Sequence, residues 1–161
     1  LNAAKGGAEH VTAVDVSESA IEMARANAAR NGLEDKMDFL AADVFDLLPR
    51  LEAAHEKPYD FIILDPPAFT KSRAKIREAA GGYKQINARA MKLLPRGGYF
   101  ATASCSHFMP SELFERMLRA AALDAGVELR QIEARQQSPD HPILWNVPET
   151  DYLKFYLFQV V

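Results

Sequence analysis

The sequence has a single cysteine, no long apolar run and no excess of positive charge. Cys105 is the only cysteine among 161 residues, which excludes an internal disulfide and a cysteine-rich zinc site. No apolar stretch approaches the length that spans a membrane, and no signal-peptide pattern is recognisable. The formal net charge is −3, so any contact with nucleic acid requires a local basic patch. These absences predict a cytoplasmic protein without a membrane partner.

The four histidines of the chain are scattered and show no spacing typical of metal ligands. We therefore expect no metal site. His107 and the turn 140–142 are candidates to border a substrate, but a lone histidine is more often structural. Trp145 and the aromatic residues of the last apolar run, 152–161, are expected in core and edge packing.

Short apolar runs alternate with helical patterns along most of the chain. Ser19 and Glu22 have the spacing of a capping box at the start of the first long helix, and residues 68–82 look polar and irregular. The predicted strands are 10–17, 36–43, 59–64, 98–105, 127–136 and 152–161, and the predicted helices are 17–32, 44–57, 82–98 and 109–126.

This alternation predicts an α/β fold with a doubly wound, mostly parallel sheet. The nearly continuous apolar run 59–64 is typical of a strand covered on both faces. No helical pattern separates the last two strands, so we expect the final strand to run antiparallel. The chain opens without Met in what looks like the end of a helix stopped by Gly6 and Gly7, so we expect its natural beginning to lie upstream.

Four chemically distinctive residues follow the ends of predicted strands. They are Asp15, Asp43, Asp65 and Cys105. In open α/β sheets, ligands bind beyond the carboxyl ends of the strands. We therefore expect a candidate site at that edge of the sheet.

Asp15 and Asp43 have two interpretations each. A carboxylate after the first strand can accept hydrogen bonds from both hydroxyls of a ribose, and Asp43 could accept from an adenine amine with Val44 against the ring. Each carboxylate could instead cap the following helix, where the helix dipole favours negative charge. The residues alone leave both interpretations open.

The motif 65–69, Asp-Pro-Pro-Ala-Phe, is the sharpest signal in the sequence. Pro66 and Pro67 cannot continue a strand ladder, so they predict a stiff, extended turn that restricts Asp65. Phe69 offers an aromatic face on which a planar base could stack. A purely structural loop is the alternative, but the combination favours a functional role.

Cys105 is either a nucleophile or a small core residue. Free cysteines are among the most buried residue types, which favours packing. Its place at the end of a strand, between Ser104 and Ser106 and in a sheet whose other strand ends carry carboxylates, favours the nucleophile.

A basic stretch follows the Asp-Pro-Pro turn in this otherwise acidic chain. Its cations are Lys71, Arg73, Lys75, Arg77 and Lys84. Phosphate contact and an ordinary solvated face are equally good interpretations.

Five short segments are distinctive in combination: Val-Asp-Val-Ser, Ala-Ala-Asp, Asp-Pro-Pro-Ala-Phe, Leu-Leu-Pro-Arg-Gly-Gly and Ser-Cys-Ser. Together they resemble the corresponding segments of class I S-adenosylmethionine-dependent methyltransferases. More narrowly, they resemble the bacterial 23S ribosomal RNA cytosine-C5 methyltransferases of the large-subunit methyltransferase I type. The resemblance covers essentially the whole chain and implies a Rossmann-like fold in which 1–161 form part of a catalytic domain. The first strand and the Gly-rich loop of such domains are missing from 1–161.

The resemblance also implies roles, with S-adenosylmethionine as cofactor and ribosomal RNA as substrate; a homodimer is left open. Cys105 and Asp65 would be catalytic. Cofactor contacts would come from Asp15, Val16, Asp43, Val44 and Asp65, and substrate contacts from Pro66, Pro67, Phe69, Lys71 and Arg73. Two other classes remain open: an amino-group methyltransferase that uses the Asp-Pro-Pro loop, and an inactive nucleotide- or RNA-binding fragment.

Overall fold

The chain consists of two compact units, Leu1–Arg50 and Leu51–Val161. The structure is a computed structural model that describes residues 1–54, 59–68 and 76–161, with the backbone alone for 76–79. None of the helices in these ranges combines the length and the apolar character needed to cross a membrane.

The predicted alternation of strands and helices is confirmed within these ranges. The strands are β1 (Val11–Asp15), β2 (Met37–Ala41), β3 (Phe61–Leu64), β4 (Tyr99–Ser104), β5 (Leu129–Arg135) and β6 (Lys154–Val160). The helices are α1 (Asn2–Lys5), α2 (Glu18–Arg30), α3 (Val44–Ala53), α4 (Ile76–Lys92) and α5 (Ser111–Ala125). Helix α4 begins at Ile76, so the expectation of an irregular segment up to residue 82 is wrong.

In Leu1–Arg50, β1 and β2 form a parallel pair, with Val11 opposite Met37 and Asp15 opposite Ala41. A small core of Ala4, Ala28 and Met37 packs beneath them. The parallel register brings the carboxyl ends of both strands to one edge.

The start of α2 differs from the predicted capping box. Ser17, and not Ser19, is the N-cap residue, and its hydroxyl accepts a hydrogen bond from the Ala20 backbone N–H at 3.3 Å. The Ser19 hydroxyl instead pairs with that of Ser17 at 3.0 Å. The N-cap therefore lies two residues before the serine that the capping-box spacing predicted, because the Ser17 hydroxyl already satisfies the Ala20 N–H.

In Leu51–Val161, four strands form one sheet in the order β3-β4-β6-β5. Strands β3 and β4 are parallel, whereas β6 runs antiparallel to both β4 and β5. The antiparallel final strand is thus confirmed, and it lies inside the sheet and not at its edge.

Helices α4 and α5 pack against one face of this sheet. The ring of Phe114 on α5 lies 6.0 Å from that of Tyr83 on α4, edge to face, and 6.1 Å from that of Tyr156 on β6. Phe100 on β4 and Phe158 on β6 are buried on the same face. This aromatic core packs β4 and β6 against the helices, and the candidate site lies at the ends of these strands.

The expectation that both faces of residues 59–64 are covered is wrong for this structure. Phe61 and Ile63 keep 46% and 65% of their surface exposed, and Phe61 stacks on Tyr99 of β4 with the rings 6.0 Å apart. Because side chains alternate along a strand, α4 and α5 cover only the face that carries Ile62 and Leu64.

Trp145 is 97% exposed, so the expectation that it packs in the core is wrong. It lies in the connection between β5 and β6, where the Thr150 hydroxyl accepts from the Leu144 N–H at 2.8 Å and donates to the Val147 carbonyl at 2.7 Å. These bonds close a tight turn around Trp145 and leave the indole pointing away from the protein.

An ion-pair cluster joins the end of α3 to α4. The Glu52 carboxylate accepts hydrogen bonds from Lys92 at 2.8 Å and Arg89 at 2.7 Å. The hydrogen bond from Lys92, aided by the charges of both cations, holds the pKa of Glu52 below its usual range. The cluster therefore stabilises the folded chain in a pH-dependent way.

We expect Glu52→Gln to lower the free energy of unfolding by about 0.5–1 kcal/mol at pH 7, since the cluster is partly solvated. A lowered folded-state pKa adds stability above the unfolded-state pKa of about 4.3, and this is lost as pH falls through the folded-state value. Urea unfolding should therefore show the difference at pH 7 and its disappearance near pH 3. Glu34→Gln, at an exposed glutamate, is the control, and an equal effect there would contradict the assignment.

Candidate active site

Asp65 and Cys105 directly follow two adjacent parallel strands. Leu64, the last residue of β3, lies opposite Thr102 of β4, so the two strand ends reach the same edge of the sheet. Both residues are exposed, and none of the described residues hydrogen-bonds the Asp65 carboxylate. The interpretation of Cys105 as a small core residue is therefore wrong. An acceptor and a thiol face solvent at one edge.

A buried tyrosine connects the two segments that carry these residues. The Tyr83 hydroxyl donates to the Pro67 carbonyl at 3.3 Å and accepts from the Ser104 hydroxyl at 3.3 Å. Tyr83 and Ser104 are fully buried. One side chain on α4 thus bridges the Asp-Pro-Pro turn and the residue that precedes Cys105.

The polar network continues beneath the tyrosine. The Asn87 amide donates to the Tyr83 carbonyl at 2.7 Å and accepts from the Thr102 hydroxyl at 2.7 Å. Asn87 and Thr102 are fully buried, and buried polar groups that are satisfied in this way specify a unique packing. The network ties α4 to β4 directly below the candidate site.

The turn after Cys105 is held from both sides. The Ser106 N–H donates to the Ser104 hydroxyl at 3.4 Å, and the Ser106 carbonyl accepts from the Met109 N–H at 3.0 Å. The Ser106 hydroxyl is buried and has no hydrogen-bond partner within the described residues. Cys105 is thereby exposed between two anchored serines.

Lys154, the first residue of β6, reaches the same turn. Its ammonium group donates to the Ser106 carbonyl and to the Tyr152 carbonyl, each at 2.7 Å, and the residue is only 7% exposed. Burial lowers the pKa of Lys154 to about 8, against the opposing effects of Asp151 and ionised Cys105.

Sequence reasoning missed Lys154 as part of the site. The signal that could have found it is the alternation of β6, in which Lys154 shares a face with the buried residues Tyr156, Phe158 and Val160. A lysine on the inward face of a strand calls for an explanation, because lysine is almost never fully buried without a partner.

Asp15 and Asp43 lie at one edge of the β1–β2 pair, within Leu1–Arg50. One carboxylate oxygen of Asp15 accepts from the Ser17 N–H at 2.8 Å, and one of Asp43 accepts from the Phe45 N–H at 2.8 Å. The second oxygen of each has no hydrogen bond within the described part of the chain. Both carboxylates are exposed, so each caps its turn and still offers an acceptor to a ligand.

The remaining predicted contacts fall into two groups. Val16 is 72% exposed, Val44 is half-buried, Pro66 is buried and Pro67 is exposed. Phe69, Lys71 and Arg73 lie outside the described residues, as do Lys75 and the side chain of Arg77. Of the basic stretch, Lys84 pairs with Asp124 at 2.7 Å, so its charge is engaged within the protein.

Parallel strands joined by helices, with acceptors beyond their carboxyl ends, define a Rossmann-like α/β protein. The sequence model of a protein family described as a methyltransferase domain matches residues 1–147. The chain belongs to this methyltransferase domain family.

Curated relatives with high sequence identity carry a more specific name than this family. The chain is 40% identical to Ribosomal RNA large subunit methyltransferase I of Klebsiella pneumoniae over 162 residues, which cover 100% of this chain and 40% of the relative. It is 47% identical to the protein of the same name from Shewanella amazonensis over 155 residues, 96% of this chain and 39% of the relative. The chain thus spans about 40% of the length of the curated relatives it matches.

Solved structures support the fold. SMU.776 complexed with SAH superposes with a TM-score of 0.84 at 22% identity, over 98% of this chain and 41% of that one. The O-methyltransferase from Bacillus cereus, in complex with SAH, has a TM-score of 0.60 at 18% identity, over 94% of this chain and 63% of that one. At these identities the likeness shows the fold alone, and it confirms the predicted Rossmann-like class.

Proposed function

We propose that residues 1–161 form part of the catalytic domain of a methyltransferase that uses S-adenosylmethionine to methylate carbon 5 of a cytosine in ribosomal RNA. The observation that carries this proposal is that Asp65 and Cys105 directly follow β3 and β4, which are adjacent and parallel. The names of the curated relatives support ribosomal RNA as the substrate.

Asp15 and Asp43 fit the nucleoside part of the cofactor. Each carboxylate is exposed and keeps one oxygen without a hydrogen bond in the described residues. Asp15 would accept from the ribose hydroxyls and Asp43 from the adenine amine, with Val16 and Val44 as apolar flanks. S-adenosylmethionine would supply the methyl group, which its positively charged sulfonium activates for transfer. It would leave as S-adenosylhomocysteine.

Asp65 would orient the target base. Its carboxylate follows β3 directly and precedes two prolines, of which Pro66 is buried, so the chain around it has little freedom. A carboxylate only accepts hydrogen bonds, which matches the N4 amine of cytosine and N3 once that atom is protonated. Addition of a thiolate pushes negative charge onto the ring, and a proton taken up from solvent at N3 would neutralise it. The Asp65 carboxylate would stabilise this protonated N3 by accepting its hydrogen bond.

Cys105 would activate the base by covalent catalysis. Carbon 5 of cytosine is a poor nucleophile, but addition of the Cys105 thiolate to carbon 6 forms an S–C6 bond and shifts the electron pair of the C5–C6 double bond toward carbon 5. Carbon 5 can then take the methyl group. Loss of the carbon 5 proton to a base restores the double bond, and the S–C6 bond breaks to release the thiolate.

The test is covalent capture on RNA that contains 5-fluorocytosine. Fluorine cannot leave as the carbon 5 proton does, so the S–C6 bond persists and the protein stays attached to the RNA. With S-adenosylmethionine present, we expect a stable complex with the natural full-length protein and none with its Cys105→Ala variant; RNA with ordinary cytosine is the control.

Two results would overturn the proposal. An amino-group methyltransferase would give no complex with either protein, and its Cys105→Ala variant would still transfer methyl groups. A protein that binds RNA or cofactor calorimetrically but transfers no methyl group would be a binding module.

A further inference from the structure

We propose that Lys154 is a positioning residue for Cys105: its ammonium group holds the peptide that follows the cysteine and stabilises negative charge on the sulfur. This role rests on the function proposed above, in which Cys105 attacks as a thiolate.

The geometry places the ammonium group at the base of the nucleophile's turn. Lys154 lies opposite Ser104 in the β4–β6 register, and its Nζ donates to the Ser106 carbonyl at 2.7 Å. Cys105 stands between these two serines. Because all six residues of β4 pair with β6, the sheet ladder holds the lysine beside this turn.

The electrostatic coupling between the two side chains acts in both directions. An ionised Cys105 raises the pKa of Lys154, although burial brings that pKa down to about 8. A cation held at this turn would stabilise the negative charge that the sulfur carries when it attacks. Lys154 is mostly protonated at neutral pH, so the cation is available when the sulfur attacks.

Other charged and titratable groups face Lys154 from the neighbouring elements. Asp151 precedes β6 and raises the pKa of Lys154, and Arg135 at the end of β5 borders the same cleft while it pairs with Glu133 at 2.7 Å. Tyr156 also borders the cleft, and burial raises its pKa to about 12, so it keeps its proton near pH 8.

A purely structural role would not require a charge at this position. Tyr156, Phe158 and Val160, on the same face of β6, are buried and carry no charge near pH 7, and Met has nearly the length of Lys. A buried ammonium group weakens folding unless it is well paired, and Ser106 O already accepts from Met109 N. The attraction between an ionised Cys105 and the ammonium group gives this charge a function.

Alkylation of Cys105 by iodoacetamide tests this role without RNA or cofactor. We expect the rate constant at pH 7, read from the Cys105 peptide by mass spectrometry, to fall about tenfold in Lys154→Met, because a neighbouring cation raises the reactivity of a thiol. Lys154→Gln, which keeps a donor but loses the charge, should also react more slowly. The control Lys36→Met removes an exposed lysine and should react like the parent.

The dependence of the alkylation rate on pH distinguishes an electrostatic role of Lys154 from a purely structural one. In the parent, a plot of the alkylation rate against pH should not follow the titration curve of a single group. The deviation should lie near pH 8, where Lys154 loses its proton. Lys154→Met should lose this feature. The parent profile and Lys154→Gln decide the question even where Lys154→Met does not fold, as judged by circular dichroism.

Equal rates in the parent and in the folded Lys154 variants, or a single-group profile in the parent, would overturn this role. Methyl transfer that survives Cys105→Ala would instead overturn the proposed function. Because alkylation reads the thiol directly, the two failures are distinguishable.

Discussion

Replacing Asp65 with Asn is expected to lower the rate of methyl transfer by about 10²–10³-fold. Asn keeps the shape of the side chain, but it lacks the negative charge and presents an NH₂ group where the cytosine needs an acceptor. Asp65 is exposed and has no hydrogen bond within the described residues, so the substitution should change the free energy of unfolding by less than about 0.5 kcal/mol. Single-turnover transfer of a labelled methyl group to ribosomal RNA measures the effect.

Asp60 provides the matched control for this substitution. It is an exposed aspartate at the opposite end of β3, and its contact with β4 is the backbone hydrogen bond from the Tyr99 N–H to the Asp60 carbonyl at 2.8 Å. Asp60→Asn should therefore transfer methyl groups at the parent rate. A similar rate for Asp65→Asn and Asp60→Asn would remove Asp65 from the catalytic set.

Replacing Asn87 with Ala is expected to lower the free energy of unfolding by about 2–4 kcal/mol. The amide is fully buried, and its loss leaves the Thr102 hydroxyl, also buried, without its acceptor. The change also leaves a cavity beside Tyr83, which bridges the Asp-Pro-Pro turn and Ser104. Urea unfolding at pH 7 measures the loss, and it is a large fraction of the ~5–15 kcal/mol that stabilises a typical domain.

Asn31 is the matched control, because its side-chain amide makes the same type of hydrogen bond as Asn87 but at the surface. Its amide donates to the Asn27 carbonyl four residues earlier at 2.7 Å, and the pair is exposed. Asn31→Ala should therefore change the unfolding free energy by less than about 0.5 kcal/mol. Thr102→Val should recover part of the loss in the Asn87→Ala background, because no buried hydroxyl then lacks a partner. Equal losses at positions 31 and 87 would argue against the buried network.

The sequence predicted the elements and the chemistry at their ends with few errors. The β3 run ends at an Asp-Pro-Pro motif, and the β4 run ends at Cys105, so local turn chemistry alone marked both candidates. The antiparallel direction of β6 followed from the short connection between β5 and β6, which holds no helix. These inferences depend on neighbouring residues, whose preferences are readable along the chain.

The errors have more than one origin, because some arose in local turns and others where helices pack against a strand. Helix α4 begins at Ile76, although the residues before position 82 look irregular. Trp145 is apolar enough for a core, yet the turn closed by Thr150 exposes it. Phe61 and Ile63 belong to an apolar run, but α4 and α5 pack on the other face of β3.

What the sequence by itself determined is the order of strands and helices and the identity of the reactive groups at the strand ends, because periodicity and turn residues act locally. Only the tertiary structure brought Tyr83 between Pro67 and Ser104 and the Lys154 ammonium group to the carbonyl after Cys105. These contacts span 16, 21 and 48 residues, and they form only when α4 and β6 pack beside β4. The support around the thiol is therefore a property of the folded chain.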